Sequence, residues 1–142
     1  MLKEQKGITL VALVITIIVL LILAAISIAM LTGDEGVLVK ANQAKTDNQL
    51  GAVKDKVGLV AINAVSDYYE DTIANGNGEY SDTGIQTAVF DAIEAIEADE
   101  ITPVTIDTTT ENTVVLSYNG RKTTGTVAVG GGLTWTGFEN AE

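Results

Sequence analysis

The sequence predicts an α+β protein: a long N-terminal α-helix, apolar in its first half and amphipathic in its second, then a short second helix and a small antiparallel β-sheet. Three observations carry this. Residues 8–31 contain no charged side chain. Leu50, Val53, Val57, Val60, Ala64 and Tyr68 recur at spacings of three and four, the period of one helix face. After Pro103 the pattern changes to threonine- and valine-rich segments joined at Asn119-Gly120, a strong two-residue hairpin signal.

Charge and composition narrow the function classes. The chain has 142 residues and a net charge of −11. Lys3, Glu4 and Lys6 give residues 1–7 a balance of +1, so the other 135 residues carry −12. A surface this acidic repels phosphate backbones, which excludes nucleic acid as a partner of its bulk. There is no cysteine and no histidine. Thiol nucleophiles, disulfides and the commonest metal ligand are thereby removed, as is catalysis of the Ser–His–Asp or Cys–His kind. No cofactor, no metal and no enzymatic activity are expected.

The first element is the apolar run. Its 24 residues form a helix of about 36 Å, against a hydrocarbon core of about 30 Å. Thr9, Thr16 and Ser27 are tolerated in lipid if their hydroxyls return to backbone carbonyls. Lys3 and Lys6 precede the run and Asp34 and Glu35 follow it. The positive-inside bias then places the N-terminus in the cytoplasm and everything after Gly33 outside. A secretory signal peptide has an apolar centre of about 7–15 residues and a small-residue cleavage site after it. This run is longer, and Ala24-Ala25 and Ala29 are weak cleavage candidates. Topology alone describes a one-span signal anchor.

Gly33 and Gly36 each weaken a helix by about 1 kcal/mol relative to alanine, which marks a break at the end of the span. Helical periodicity resumes at Val37. The stripe from Leu50 to Tyr68 should face the rest of the extracytoplasmic part, with Ala52 and Ala61 allowing close packing. Lys45, Asp47, Lys54, Asp55, Lys56 and Asp67 fall largely off it. Asn75-Gly76-Asn77-Gly78 stops this helix. Ser81-Asp82-Thr83 caps a second one, whose apolar face is Ile85, Ala88, Val89, Ala92, Ile93 and Ile96 and whose end frays near Ala98. Pro103 blocks further helix. Four strands are expected, at 104–106, 113–118, 121–129 and 133–138, with Gly130-Gly131-Gly132 as the last break. Leu133, Trp135 and positions 114, 116, 127 and 129 should pack on the first helix.

Candidate sites in this part are few. Asp71, Asn75, Asn77, Glu79 and Asp82 crowd one loop and could suit calcium, but their spacing does not match an EF-hand, and a solvated turn is the better reading. Asp91, Glu94 and Glu97 read as a solvated helix face rather than an acid/base pair. Gly130-Gly131-Gly132 lacks the following lysine and helix of a phosphate loop. Threonines 102–113 fit β-propensity as well as they fit O-linked sugars. Arg121-Lys122 reads as a solvated turn or strand edge.

A short basic leader, Gly7, Ile8-Thr9-Leu10 and an unbroken apolar helix, in that order, resemble the N-terminus of type IV pilins and pseudopilins. The segment LVALVITIIVLLILAAI followed by LTGDEGVLVKANQAK is similar to pilin-like proteins of Gram-positive, clostridial-type bacteria. The resemblance covers roughly residues 1–50. It implies a leader peptide at 1–7, an apolar transmembrane and fibre-core helix at 8–33, and an extracytoplasmic stalk helix and globular head at 34–142. It also implies cleavage between Gly7 and Ile8 by a prepilin peptidase and N-methylation of Ile8. Thr9, Leu10, Ala12, Ala24 and Ala25 would then serve assembly, and Gly33 and Gly36 would form a hinge or simply a helix break.

Two positions depart from the family pattern. Ile8 stands where phenylalanine or methionine is common. Ala12 stands where family members usually carry a glutamate that neutralises a neighbouring subunit's N-terminus. An unpaired ammonium in an apolar bundle costs several kcal/mol. Either the amine finds Thr9 or a backbone carbonyl, or the subunit occupies a special place such as a tip. The function expected from the resemblance is that of a structural subunit, a pilin of an extracellular filament. Its partners would be further copies of itself, the peptidase, the pilus assembly machinery and, before assembly, membrane lipid. The alternatives are a minor pilin or pseudopilin of a type II secretion or DNA-uptake system, and a signal-anchored extracellular binding module.

Overall fold

The computed structural model describes residues 2–76 and 78–142, with side chains from Ile8 onward. Met1, Asn77 and the leader side chains lie outside the described residues, and with them the Lys3, Glu4 and Lys6 charges and the Asn77 member of the calcium alternative. The helices are α1 (Leu2–Thr32), α2 (Val37–Tyr69), α3 (Asp82–Glu94) and α4 (Ala98–Ile101), with a π-helical turn at Glu70–Ala74. The strands are β1 (Thr105–Asp107), β2 (Thr113–Tyr118), β3 (Arg121–Val127), β4 (Leu133–Trp135) and β5 (Glu139–Asn140). The fold is α+β, as expected. The chain forms two compact units, Met1–Gln43 and Ala44–Glu142.

In the first unit the helix breaks where the two glycines stand. Gly33 N–H donates to Ala29 O at 2.9 Å, and Gly36 N–H donates to Gly33 O at 2.6 Å. A Cβ on Gly36 would lie 2.6 Å from Leu31 O and 2.7 Å from Gly33 O, so this tight turn admits no side chain there. Lys40 N–H then donates to Gly36 O at 3.0 Å and the helix resumes.

The second unit is built on α2. Leu50, Val53, Val57, Ala61 and Ala64 are buried, and Val60 and Tyr68 pack against them. Ala52 is exposed and takes no part, contrary to expectation: it follows Leu50 by two residues, which turns it to the other side. Ser81 caps α3 through its hydroxyl, which accepts from Gly84 N–H at 2.9 Å. The α3 helix stops at Glu94, earlier than expected, and Ala98–Ile101 forms a separate turn. The acidic residues explain this. Carboxylates oppose the C-terminal dipole of α3, whereas Asp99 and Glu100 in the first turn of α4 complement its N-terminus. The new turn delivers Ile101, only 2% exposed, to the core.

The sheet is antiparallel in the order β1-β2-β3-β4, with β5 pairing to the start of β3. Asn119 and Gly120 have φ of 49° and 74° between the Tyr118–Arg121 pair, the left-handed values a two-residue type I′ turn requires. Val114 and Leu116 alternate inward from β2, as do Thr123, Gly125 and Val127 from β3. Buried Thr123 donates its hydroxyl to Thr136 O at 2.9 Å. A Cβ on Gly125 would lie 2.8 Å from the Trp135 ring, so the bare strand position is what seats the indole.

Three strand expectations are corrected. The first strand begins one residue later than predicted, at Thr105, because Val104 goes into the core. The third ends at Val127, where Ala128 N–H turns to Gly132 O at 2.7 Å; Val129 is 63% exposed and does not join the core. The 133–138 segment is a strand only over β4, Leu133–Trp135, and β5 lies beyond it at Glu139–Asn140. The glycine turn itself packs closely. Gly131 has φ of 82°, and a Cβ there would lie 2.5 Å from Ile85 Cγ2 and 3.0 Å from Val65 Cγ2.

Arg121 is not the solvated residue that was expected. Its Nε and Nη2 donate to Asp47 Oδ1 and Oδ2, both at 2.9 Å, and Nη1 donates to Asn140 Oδ1 at 3.0 Å. The two side chains are only 18% and 26% exposed. The guanidinium therefore ties α2, β3 and β5 together; the Asp47 carboxylate beside it raises its already high pKa. Lys122, 4.0 Å from Glu139, is the more exposed neighbour.

Arg121→Ala should lower stability by about 1.5–3 kcal/mol, the range for hydrogen bonds to charged groups. Arg121→Lys should recover only part, because an ammonium lacks the two-pronged geometry. Gly131→Ala should cost about 2 kcal/mol or more through backbone strain and overpacking. Urea denaturation of the detergent-solubilised chain, followed by the fluorescence of its single tryptophan, measures all three.

Candidate assembly surface

The most distinctive surface belongs to α1. Every large apolar side chain from Ile8 to Leu31 is exposed, from 46% at Val14 to 71% at Met30. The exposure runs round the whole helix, with no polar face. A helix apolar on all sides belongs in lipid or among other helices. It is long and apolar enough to cross a membrane.

The polar groups on this helix are closed off locally. Thr16 and Ser27 donate to Leu13 O at 2.7 Å and Leu23 O at 2.8 Å, as expected. Thr32 does the same to Ile28 O at 2.9 Å. Thr9 is also engaged. Leu10, Ala12, Ala24 and Ala25 are all exposed. Ala25, Ala29 and Gly33 follow one another at intervals of four, so they form a ridge of small residues along which another helix can approach closely. Ala24 lies about 100° round from that ridge, at 3.6 residues per turn. Ile8 is 70% exposed, while the surroundings of Gly7 lie outside the described residues. Charge returns at Asp34 and Glu35. The Glu35–Lys40 ion pair, at 2.7 Å, is 90% and 62% exposed and contributes little.

In the second unit an open cleft of about 360 Å³ lies between α2 and β4, lined by Gly58, Ile62, Val65, Gly131, Leu133 and Trp135 among others. Lys54 Nζ stands 5.7 Å from the Trp135 ring centre and 5.9 Å from that of Phe138. The lining residues have no ionisable side chain, so the cleft offers no acid, base or nucleophile. Sequence reasoning missed it because its two walls are about seventy residues apart in the chain; the glycine run before an alternating Leu133-Thr134-Trp135 was the available signal.

The acidic loop is organised by aromatic groups. Tyr80 stacks on Tyr69 at 5.6 Å and 27°, and its hydroxyl donates to Asp82 Oδ1 at 2.9 Å. Hydrogen bonding to Tyr69, then to Asp82, raises the Tyr80 pKa well above the ordinary phenol value. One Asp82 oxygen is thus already occupied. Among the described residues no three His, Cys, Asp or Glu converge as a metal ion would need. Asp91, Glu94 and Glu97 are exposed.

Compared with known proteins, the chain matches no family model, no curated sequence and no solved structure. Its element order, a long N-terminal helix followed by a small antiparallel sheet, is nevertheless a pilin-like layout.

The chain should stay with membranes through an alkaline carbonate wash. Replacing Leu20 and Leu21 with aspartate, each about 2.5–3.5 kcal/mol unfavourable at the centre of a span, should release it to the soluble fraction, read by immunoblot.

Proposed function

We propose that this chain is a structural subunit of an extracellular filament of the type IV pilus kind. The observation that carries the reading is a 24-residue uncharged helix, exposed on every face, preceding a head with a net negative charge. Before assembly that helix anchors the subunit in lipid, with its N-terminus in the cytoplasm. A prepilin peptidase cuts between Gly7 and Ile8, and Ile8 becomes the methylated N-terminus. On extraction the helix exchanges lipid contacts for contacts with other copies, and the Ala25-Ala29-Gly33 ridge and Ala24 permit close approach. The acidic heads form the outside of the filament. Driving force comes from assembly machinery in the membrane.

A second reading is favoured by one residue. Ala12 leaves the apolar helix without the carboxylate that pairs with a neighbour's amine. This suits a minor pilin or pseudopilin, present in few copies, of a secretion or DNA-uptake system.

Mass spectrometry of a sheared cell-surface fraction should find a chain beginning at Ile8; a chain beginning at Met1 and confined to membranes would instead make it a signal-anchored protein. Abundance in that fraction separates a major from a minor subunit. Ala24→Asp should leave the urea midpoint of the head unchanged and abolish filaments, because a carboxylate buried in an apolar bundle costs several kcal/mol. Normal filament yield from that variant, counted by electron microscopy, would rule out α1 as the assembly element.

A further inference from the structure

Asparagine is followed directly by glycine three times, at Asn75-Gly76, Asn77-Gly78 and Asn119-Gly120. This pair is chemically labile. The glycine nitrogen can attack the carbonyl carbon of the preceding side chain, because no Cβ on the glycine stands in its way. Asn77 lies outside the described residues, and the structure treats the other two pairs in opposite ways.

Asn119-Gly120 is locked. The two residues have φ of 49° and 74°, and the Tyr118–Arg121 pair closes the turn they form. Asn119 Nδ2 donates to Thr46 Oγ1 at 3.3 Å, and Thr46 is buried. Ala141 N–H donates to Gly120 O at 2.9 Å, and the next residue, Arg121, is clamped to Asp47. Turning Asn119 so that its amide carbon meets the Gly120 nitrogen would break into this set of bonds. Asn75-Gly76 has no such restraint. Asn75 ends the π-helical turn, and its backbone N–H donates to Glu70 O at 3.0 Å. Its side chain is exposed, and among the described residues neither that side chain nor the Gly76 N–H is hydrogen-bonded. Gly76 has φ of 68° and nothing within 4 Å of its Cβ position, so the chain has room to rotate there.

We infer that Asn75 is a site of spontaneous deamidation, with water as the only co-reactant. The Gly76 nitrogen gives its proton to solvent base and bonds to Asn75 Cγ, and the Cγ–Nδ2 bond breaks to release ammonia. Water then opens the resulting ring at one of its two carbonyls and leaves aspartate or isoaspartate. The sum is side-chain amide plus water giving carboxylate plus ammonium, with nothing oxidised or reduced. The new carboxylate stands four residues after Asp71, at the negative end of the turn, and is unfavourable there on both counts. Conversion accumulates with time, so it records the age of each chain. The inference does not depend on the filament reading.

The full chain in detergent is held in mildly alkaline buffer made with heavy-oxygen water, either folded or in urea. It is then digested in ordinary water at acid pH, and fragment mass spectra place each newly labelled carboxylate. In the folded chain Asn75 should convert at close to its rate in urea. Asn119 should convert about tenfold or more slowly than it does in urea, because loops open at almost no free-energy cost whereas a core hairpin opens at a large share of the global stability. A folded chain in which Asn75 stays unlabelled, or in which Asn119 labels as fast as Asn75, would overturn the inference.

Discussion

An uncharged helix of 24 residues cannot remain in water, and the rest of this protein is arranged around that constraint. Burying one large apolar side chain is worth about 1.5–3 kcal/mol, so the seventeen exposed between Ile8 and Leu31 represent tens of kcal/mol. Nothing in the hydroxyls of Thr16, Ser27 and Thr32 offsets this, because each is already satisfied by a carbonyl one turn back. Lipid or other helices must supply the cover. An anchor and a polymerisation element make the same physical demand, which is why one segment serves both in the proposed function.

The acidic part meets the opposite requirement. It has to stay soluble and fold on a small core with no disulfide to help. Leu50, Val57, Val89, Ile93, Val114, Leu116 and Val127 are wholly buried and form its centre. Arg121 uses its fork to bind Asp47, and the glycine turn at 130–132 sets its backbone close against Ile85 and Val65. These contacts join segments distant in sequence. They also leave Leu59 and Ile62 of α2 exposed on a side that the core does not use.

Much of the fold was legible before any coordinates. The apolar run, the glycine break, the core stripe of α2, the Ser81 cap and the Asn119-Gly120 hairpin each rest on a local rule, and a local rule needs only neighbouring residues. The misreadings share a different cause. Val129 looked like the end of an alternating strand, but the turn at Gly130-Gly131 had a better packing site between two helices. Residues 98–101 looked like a fraying end, but burying Ile101 repaid a new helical turn. Arg121 looked solvated because its partner, Asp47, is seventy-four residues away.

The sequence by itself determined that this chain carries a membrane-length uncharged helical segment, a pair of glycines that breaks the helix and an acidic α+β part, because hydropathy, helical period and turn chemistry act over a few residues. Only the tertiary structure decided which cation is a structural clamp, which strand positions are core, and where Ile62 of α2 borders an open cleft. Those outcomes depend on which distant segments come to lie side by side, and burial belongs to the assembled packing rather than to any one stretch of chain.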